Sequence, residues 1–204
     1  MRQRAIVGIV AKPSGRDIKA EVLTEARHLI QRSGVARLSY GNVADSLGIR
    51  APSIHHHFRR KDDLVADVVA RYRVDFQAKV DAIDETSVAD APARLLGYAA
   101  LFDEVADAGL LCLCGAVAAE WNDAAVQAQG EVGAFFDDQV AWLTAEVERG
   151  KGAGDVEPEV DAAAFALALL AALEGSLLLQ RAGRGSARAV GIAESLLAGI
   201  SAPR

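Results

Sequence analysis

The stretch SYGNVADSLGIRAPSIHHHF, Ser39–Phe58, decides how the chain is read. Val43, Ala44 and Leu47 stand at i, i+1 and i+4, a spacing that gathers them on one buried helix face. Gly48 follows, a residue that tolerates the positive φ of a tight turn between two crossed helices. Pro52 then falls in a first helical turn, where its missing N–H costs nothing. Ile54 and Phe58, four apart, bury the second short helix and leave Ser53, His55, His56 and His57 on or near open faces. This is the pattern of a helix-turn-helix whose second helix enters a DNA major groove.

Working outward, Arg16–Leu64 resembles the N-terminal DNA-binding domain of TetR-family transcriptional regulators. The residues that carry the resemblance are Gly34 closing a first helix, Ser39 and Val43-Ala44 in the second, and Gly48 at the turn. They continue with Ile54-His55-His56-His57-Phe58 in the recognition helix, then Lys61 and Leu64 opening a fourth helix. His55 stands where that family usually has Tyr. The resemblance implies an all-α fold: an N-terminal three-helix helix-turn-helix domain followed by a helical ligand-binding and dimerisation domain. It implies a repressor that binds a palindromic double-stranded operator as a homodimer and is released by a small-molecule effector.

The charge distribution agrees with a DNA-binding head. The 204-residue chain has a net charge of −6, yet residues 1–61 carry twelve Lys/Arg against four Asp/Glu, while residues 62–204 carry ten against twenty-four. A basic head on an acidic body suits a DNA-binding domain joined to a domain that does not touch DNA. With 51% hydrophobic and 25% charged residues the chain is expected to be globular. Two cysteines, Cys112 and Cys114, make no disulfide framework, and a reducing cytoplasm is the expected compartment.

Three units are expected: a flexible basic arm over 1–14, the helix-turn-helix domain over 15–61, and the effector-binding and dimerisation domain over 62–204. Met1–Ser14 lacks the apolar core of a signal peptide. Ser14 through Asp17 has capping-box spacing ahead of a first helix that buries Ile18, Val22, Ala26, Leu29 and Ile30. The expected DNA-facing set is Ser39, Tyr40, Arg50, Ala51, Pro52, Ser53, His55, His56, His57 and Lys61, with Arg59 and Arg60 nearby. Gly41 fits either close approach to a phosphate or simple tolerance near a helix end. A metal at the histidine triplet is rejected, because consecutive helical residues point about 100° apart whereas chelating pairs need i,i+3 or i,i+4 spacing. No cofactor is expected.

Lys61–Ile83 reads as a long helix joining head to body, with a polar break over Asp84–Pro92. Further helices are expected over Ala93–Ala108 and Gln127–Arg149, the second ended by a flexible glycine run, Gly150–Gly154. Ala162–Leu173 has no polar side chain, but with Glu174 following it is read as a helix buried on one side by its own core and on the other by a second subunit. No membrane span is expected. The last helix is read over Ser186–Ile200. Phe165, Leu169, Ala172, Leu173, Leu196 and Leu197 are the expected dimer contacts.

Candidate effector-pocket residues are Tyr98, Phe102, Cys112, Glu120, Trp121, Phe136 and Trp142, although aromatic stripes at helical spacing also suit plain core. The segment Leu111–Glu120, LCLCGAVAAE, is similar to one found in a subset of TetR-like repressors that includes electrophile-responsive members, which would make Cys112 a sensor. No Lys, Arg or His lies within ten residues to activate that thiol. An enzyme is not expected: no paired-carboxylate, Ser/His/Asp, phosphate-loop or metal-ligand spacing occurs. The competing reading is a helix-turn-helix protein that serves as a structural or protein-interaction module without an effector.

Overall fold

The computed structural model describes residues 17–85, 90–186 and 188–202. The basic arm expected over 1–14 lies outside them, as does Ser14 of the capping box. Asp17 is itself the cap: its carboxylate accepts from the Ala20 N–H and starts α1, Ile18–Ser33. Of the residues expected in its core, Val22, Ala26 and Ile30 are buried, while Ile18 and Leu29 are only half-buried.

The helix-turn-helix forms as the sequence spacing dictates. Ser39 caps α2, Tyr40–Leu47, through its hydroxyl, and Gly48 ends it in the left-handed region at φ 63°. α3, Ala51–His57, follows with Pro52 in its first turn, and Ile54 and Phe58 sink into the core beside Val22, Val43 and Leu64. From there α4, Lys61–Glu85, runs without interruption from head to body.

The body consists of α5, Ala91–Asp107; α6, Leu113–Ala118; α7, Val126–Ala153; α8, Ala162–Arg181; and α9, Ala189–Ala198. α7 packs along α4 and α8, and α5 packs against α7, α8 and α9. The expected stop at Gly150–Gly154 is corrected: α7 continues through Gly150 and ends at Gly154, φ 81°. Gly150 is buried where a Cβ would stand 2.8 Å from Val156 and 3.0 Å from Ala91, so the glycine serves close packing inside the helix. Between α5 and α7, Arg94 donates twice to Glu146, at 2.7 and 3.1 Å, a buried bidentate pair.

α8 carries two apolar faces. Ala162, Ala166, Leu169, Leu170, Leu173 and Leu177 point into the protomer. On the opposite face Leu167 is 61% and Leu178 60% exposed, with Ala164, Ala168 and Ala171 exposed on the same side. Of the expected dimer contacts, Leu169, Leu173 and Leu197 are corrected. At 100° per residue, Leu169 and Leu173 lie on the inward face and are fully buried; Leu197 of α9 is buried likewise. Phe165, Ala172 and Leu196 are half-buried at the edges.

Head and body meet at the end of α1. Gly34 leaves the helix at φ 83°, ψ 168°, a region essentially reserved for glycine. This directs Val35–Arg37, one 3₁₀ turn, toward Glu120, whose carboxylate accepts from the Val35 and Ala36 N–H groups at 2.8 Å each. A Cβ on Gly34 would collide with Glu120 Oε1. Gly34→Ala is therefore expected to destabilise the fold by about 2 kcal/mol, against about 1 kcal/mol for Gly48→Ala, which needs only the milder left-handed region. Urea titrations check both. The Gly34→Ala cost should shrink in a Glu120→Ala background, where the collision is gone.

Candidate DNA-binding face and body cavity

The recognition helix is fixed from below and open above. Ile54 and Phe58 anchor it, and the Tyr40 hydroxyl donates to the Phe58 carbonyl at 3.0 Å. The Tyr40 ring also meets His55 edge-on at 4.4 Å between centroids. Tyr40 thus ties the start of α2 to both ends of the histidine triplet's support. Lys61, at the start of α4, donates to the Val35 carbonyl at 2.7 Å, so its ammonium braces the head internally. Arg50, Pro52, Ser53, His55, His56 and His57 are exposed, Ala51 is half-buried, and Ser39 is exposed with its hydroxyl engaged by the Asn42 N–H. Their exposed side chains offer hydrogen-bond donors and acceptors on α3, with the cation Arg50 at its start.

Gln31 and Arg181, which the sequence pattern did not single out, link this head to the body. Gln31 is fully buried; its Nε2 donates to the Leu111 carbonyl at 2.8 Å, and its own carbonyl accepts from the Leu111 N–H at 3.1 Å. Arg27 donates to the Gln31 side chain at 3.1 Å, and Arg181 from the end of α8 donates to the Gln31 and Arg32 carbonyls. A glutamine in the last turn of an amphipathic helix looks like a surface residue; only the arrival of Leu111, eighty residues on, buries it.

The residues expected to form one effector pocket do not come together. Tyr98 and Phe102 are buried core. They join Phe76, Phe135 and Trp142 in a continuous aromatic cluster, with Tyr98 stacked on Trp142 at 5.4 Å. Phe136 extends it from Phe135. Glu120 is corrected: both carboxylate oxygens are spent on the head. Trp121 is corrected too, being 43% exposed in a 3₁₀ turn away from the aromatic cluster.

Of that set Cys112 alone borders an apolar cavity of about 450 Å³ between α6 and α8. Its other walls include Leu111, Ala116, Ala119, Ala171, Glu174 and Leu178. Cys112 caps α6 and does not sit inside an apolar helix; the thiol is 2% exposed and is approached by the Tyr72 hydroxyl at 3.9 Å. A hydrogen bond with Cys114, together with burial, pushes the Cys112 thiol well above its ordinary pKa. Burial, with Cys112 adjoining, likewise pushes the Glu174 carboxyl well above the usual carboxylate range. The signal that could have found this cavity is Glu174 itself, a lone acid in an otherwise apolar helical run.

Comparison with known proteins agrees with this geometry. The family described as "Bacterial regulatory proteins, tetR family" matches residues 22–68. A TetR-family transcriptional regulator from Agrobacterium tumefaciens is 33% identical and superposes with a TM-score of 0.84, over 90% of this chain and 97% of that one. A TetR regulator from Legionella pneumophila is 24% identical with a TM-score of 0.81, over 92% and 99% of the two chains. The reduced form of NemR from E. coli shares the fold at 17% identity and a TM-score of 0.77, over 91% and 98%. No curated protein sequence matches the chain. The chain belongs to the TetR family of transcriptional regulators, DNA-binding proteins of the helix-turn-helix type.

The Glu174 environment gives a pH dependence. Ionising this carboxyl costs more in the folded protein than in the unfolded chain. The stability that depends on its neutral form is therefore complete below the unfolded value of about 4.3 and is lost as pH rises toward the raised folded value. Glu174→Gln, which cannot ionise, is expected to melt above the wild type at pH 7, with the difference vanishing near pH 4. A variant that melts below the wild type at pH 7 would show that the carboxylate is already compensated.

Proposed function

We propose that the protein is a repressor that binds a palindromic operator as a homodimer and releases it when a small molecule occupies the body. The observation that carries this is the pairing of an anchored α3, exposing Ser53, His56 and His57 beside Arg50, with a second exposed apolar stripe on α8. In this reading the units are the helix-turn-helix head over 15–61, with the 1–14 arm ahead of it, and the effector and dimerisation body over 62–204.

Ala164, Leu167, Ala168 and Leu179, exposed residues of α8 that do not line the cavity, form an apolar stripe of the kind that two-fold association buries. Two copies joined there would carry two α3 helices, and a palindrome reads them when they reach successive major grooves about 34–36 Å apart. Release follows if the effector favours a head separation that no longer fits, the coupling being the ligand's differential affinity for the two states. Leu111 is the candidate relay, since it borders the cavity and exchanges backbone and side-chain hydrogen bonds with Gln31 of the head. The protein acts in this reading in the cytoplasm and as a regulator, not an enzyme.

Covalent sensing at Cys112 is a second form of the reading, favoured by that residue's place on the cavity wall. Its buried, high-pKa thiol favours noncovalent release instead. Cys112→Ser should respond to the same inducer as the wild type.

Selection of bound duplexes from a random pool at two salt concentrations tests the proposal. A two-fold palindrome is the expected product, and its affinity should fall log-linearly with salt. Salt-sensitive but sequence-blind binding would mean a degenerate or architectural DNA role, and no binding would return the protein to the interaction-module reading. On the selected operator, Arg50→Ala should weaken all sequences alike and lower the salt slope by about one. His57→Ala should cost about 1–3 kcal/mol and relax preference at particular bases. Lys61→Ala should lower the melting temperature as well as DNA affinity, because Val35 loses its donor. Unchanged operator binding in all three variants would move the DNA face elsewhere.

A further inference from the structure

The α6–α8 cavity is apolar except at one point. Leu111, Ala116, Ala119, Ala171 and Leu178 contribute hydrocarbon, and among the described residues no Lys, Arg or His lines it. Glu174 brings a carboxyl into this wall. Its Oε1 is buried and has no hydrogen-bond partner among the described residues. Its Oε2 sits against Gly115, where a Cβ would stand 2.7 Å away, so glycine at 115 makes the room that the carboxyl occupies. The Cys112 thiol, a weak donor, hydrogen-bonds the Glu174 carboxyl and leaves Oε1 without a partner.

Buried carboxyls in folded proteins are ordinarily paired or fully hydrogen-bonded, because an uncompensated one costs several kcal/mol. Here the walls offer no compensating cation, while about 450 Å³ of adjoining space falls within the range of small-molecule sites. A ligand entering this space meets the carboxyl directly. It needs an N–H to reach the orphaned Oε1, a positive charge to match an ionised carboxylate, and a hydrophobic body for the alanine and leucine walls. An anionic ligand would face Glu174 without a counter-charge and be rejected.

We propose that this cavity binds an apolar organic cation bearing N–H donors, a primary or secondary amine or an amidine, with its nitrogen on Glu174 and its hydrocarbon between α6 and α8. The assignment rests on the effector reading above only for the consequence of binding, not for binding itself. The same ligand body would touch Leu111 and Cys112, and so press on the segment that holds Gln31.

The test uses full-length protein and three probes of one shape: 1-naphthylmethylamine, 1-naphthylmethanol and 1-naphthoate, titrated calorimetrically at pH 7. The amine is expected to bind at least about tenfold more tightly than the alcohol, with the naphthoate weakest. Glu174→Gln should bring amine and alcohol to within about threefold, chiefly through loss of amine affinity. Ala119→Leu, which fills the wall, should weaken amine and alcohol together. Equal binding of amine and alcohol by the wild type, an amine preference that survives Glu174→Gln, or no binding by any probe would overturn the assignment. Release of the selected operator is then scored separately. Amine preference without release would leave the ligand class standing and remove the effector reading. Release by the alcohol or naphthoate but not by the amine would keep the effector reading and overturn the ligand class.

Discussion

The Glu120 carboxylate holding the Val35 and Ala36 N–H groups is the contact on which the arrangement of head and body depends. Hydrogen bonds to a charged acceptor are about twice as strong as neutral ones, and these two bridge segments some eighty-five residues apart. They exist because Gly34 can adopt a backbone region closed to other residues and because no Cβ stands in the carboxylate's path. The consequence runs into the DNA-facing side. Val35, so fixed, offers its carbonyl to Lys61, and Lys61 opens the long helix α4. Position of the recognition helix is thus set partly by a residue of the body.

A second seam lies on the other side of α1. Gln31 exchanges hydrogen bonds with Leu111, and Arg181 reaches back from α8 to the same turn. Fully buried polar side chains are costly unless satisfied; Gln31 is satisfied only while Leu111 is in register. That makes the seam sensitive to small displacements at the cavity wall, of which Leu111 is part. Packed interfaces of this kind tend to have discrete arrangements and do not deform continuously.

The interior also contains polar atoms that the protomer leaves uncompensated: the Tyr98 hydroxyl, the Gln139 amide and Glu174 Oε1. They come from α5, α7 and α8, the three helices around the body's centre. Sites that bind ligands commonly trade stability for poised polar groups. Around them the aromatic cluster of Phe76, Tyr98, Phe102, Phe135 and Trp142 supplies rigid apolar packing, and the Arg94–Glu146 pair locks α5 to α7. The aromatic cluster joins α4, α5 and α7, while the cavity lies toward α6 and the outer face of α8.

What could be read from the chain alone was everything governed by local periodicity. The Val43–Leu47 and Ile54–Phe58 spacings, the Gly48 turn, the Ser39 cap and the basic head define the helix-turn-helix, because each depends on residues within one or two helical turns. The apolar length of α8 was equally legible. Which of its faces turns inward was not: alanine and leucine cover the whole circumference, so the sequence places no polar stripe to mark the outside, and packing against α5, α7 and α9 alone made Leu169 and Leu173 core and left Leu167 and Leu178 outside. The aromatic residues were visible as a set but not as core or cavity wall, since that distinction rests on what packs across from them. Gly150–Gly154 looked like a break because intrinsic propensity disfavours glycine by about 1 kcal/mol in a helix; close packing under Val156 and Ala91 overrode it. Glu120 facing the end of α1, Gln31 meeting Leu111 and Glu174 beside Cys112 join positions some sixty to eighty-five residues apart. No local pattern encodes such pairs, and only the tertiary structure brought them together.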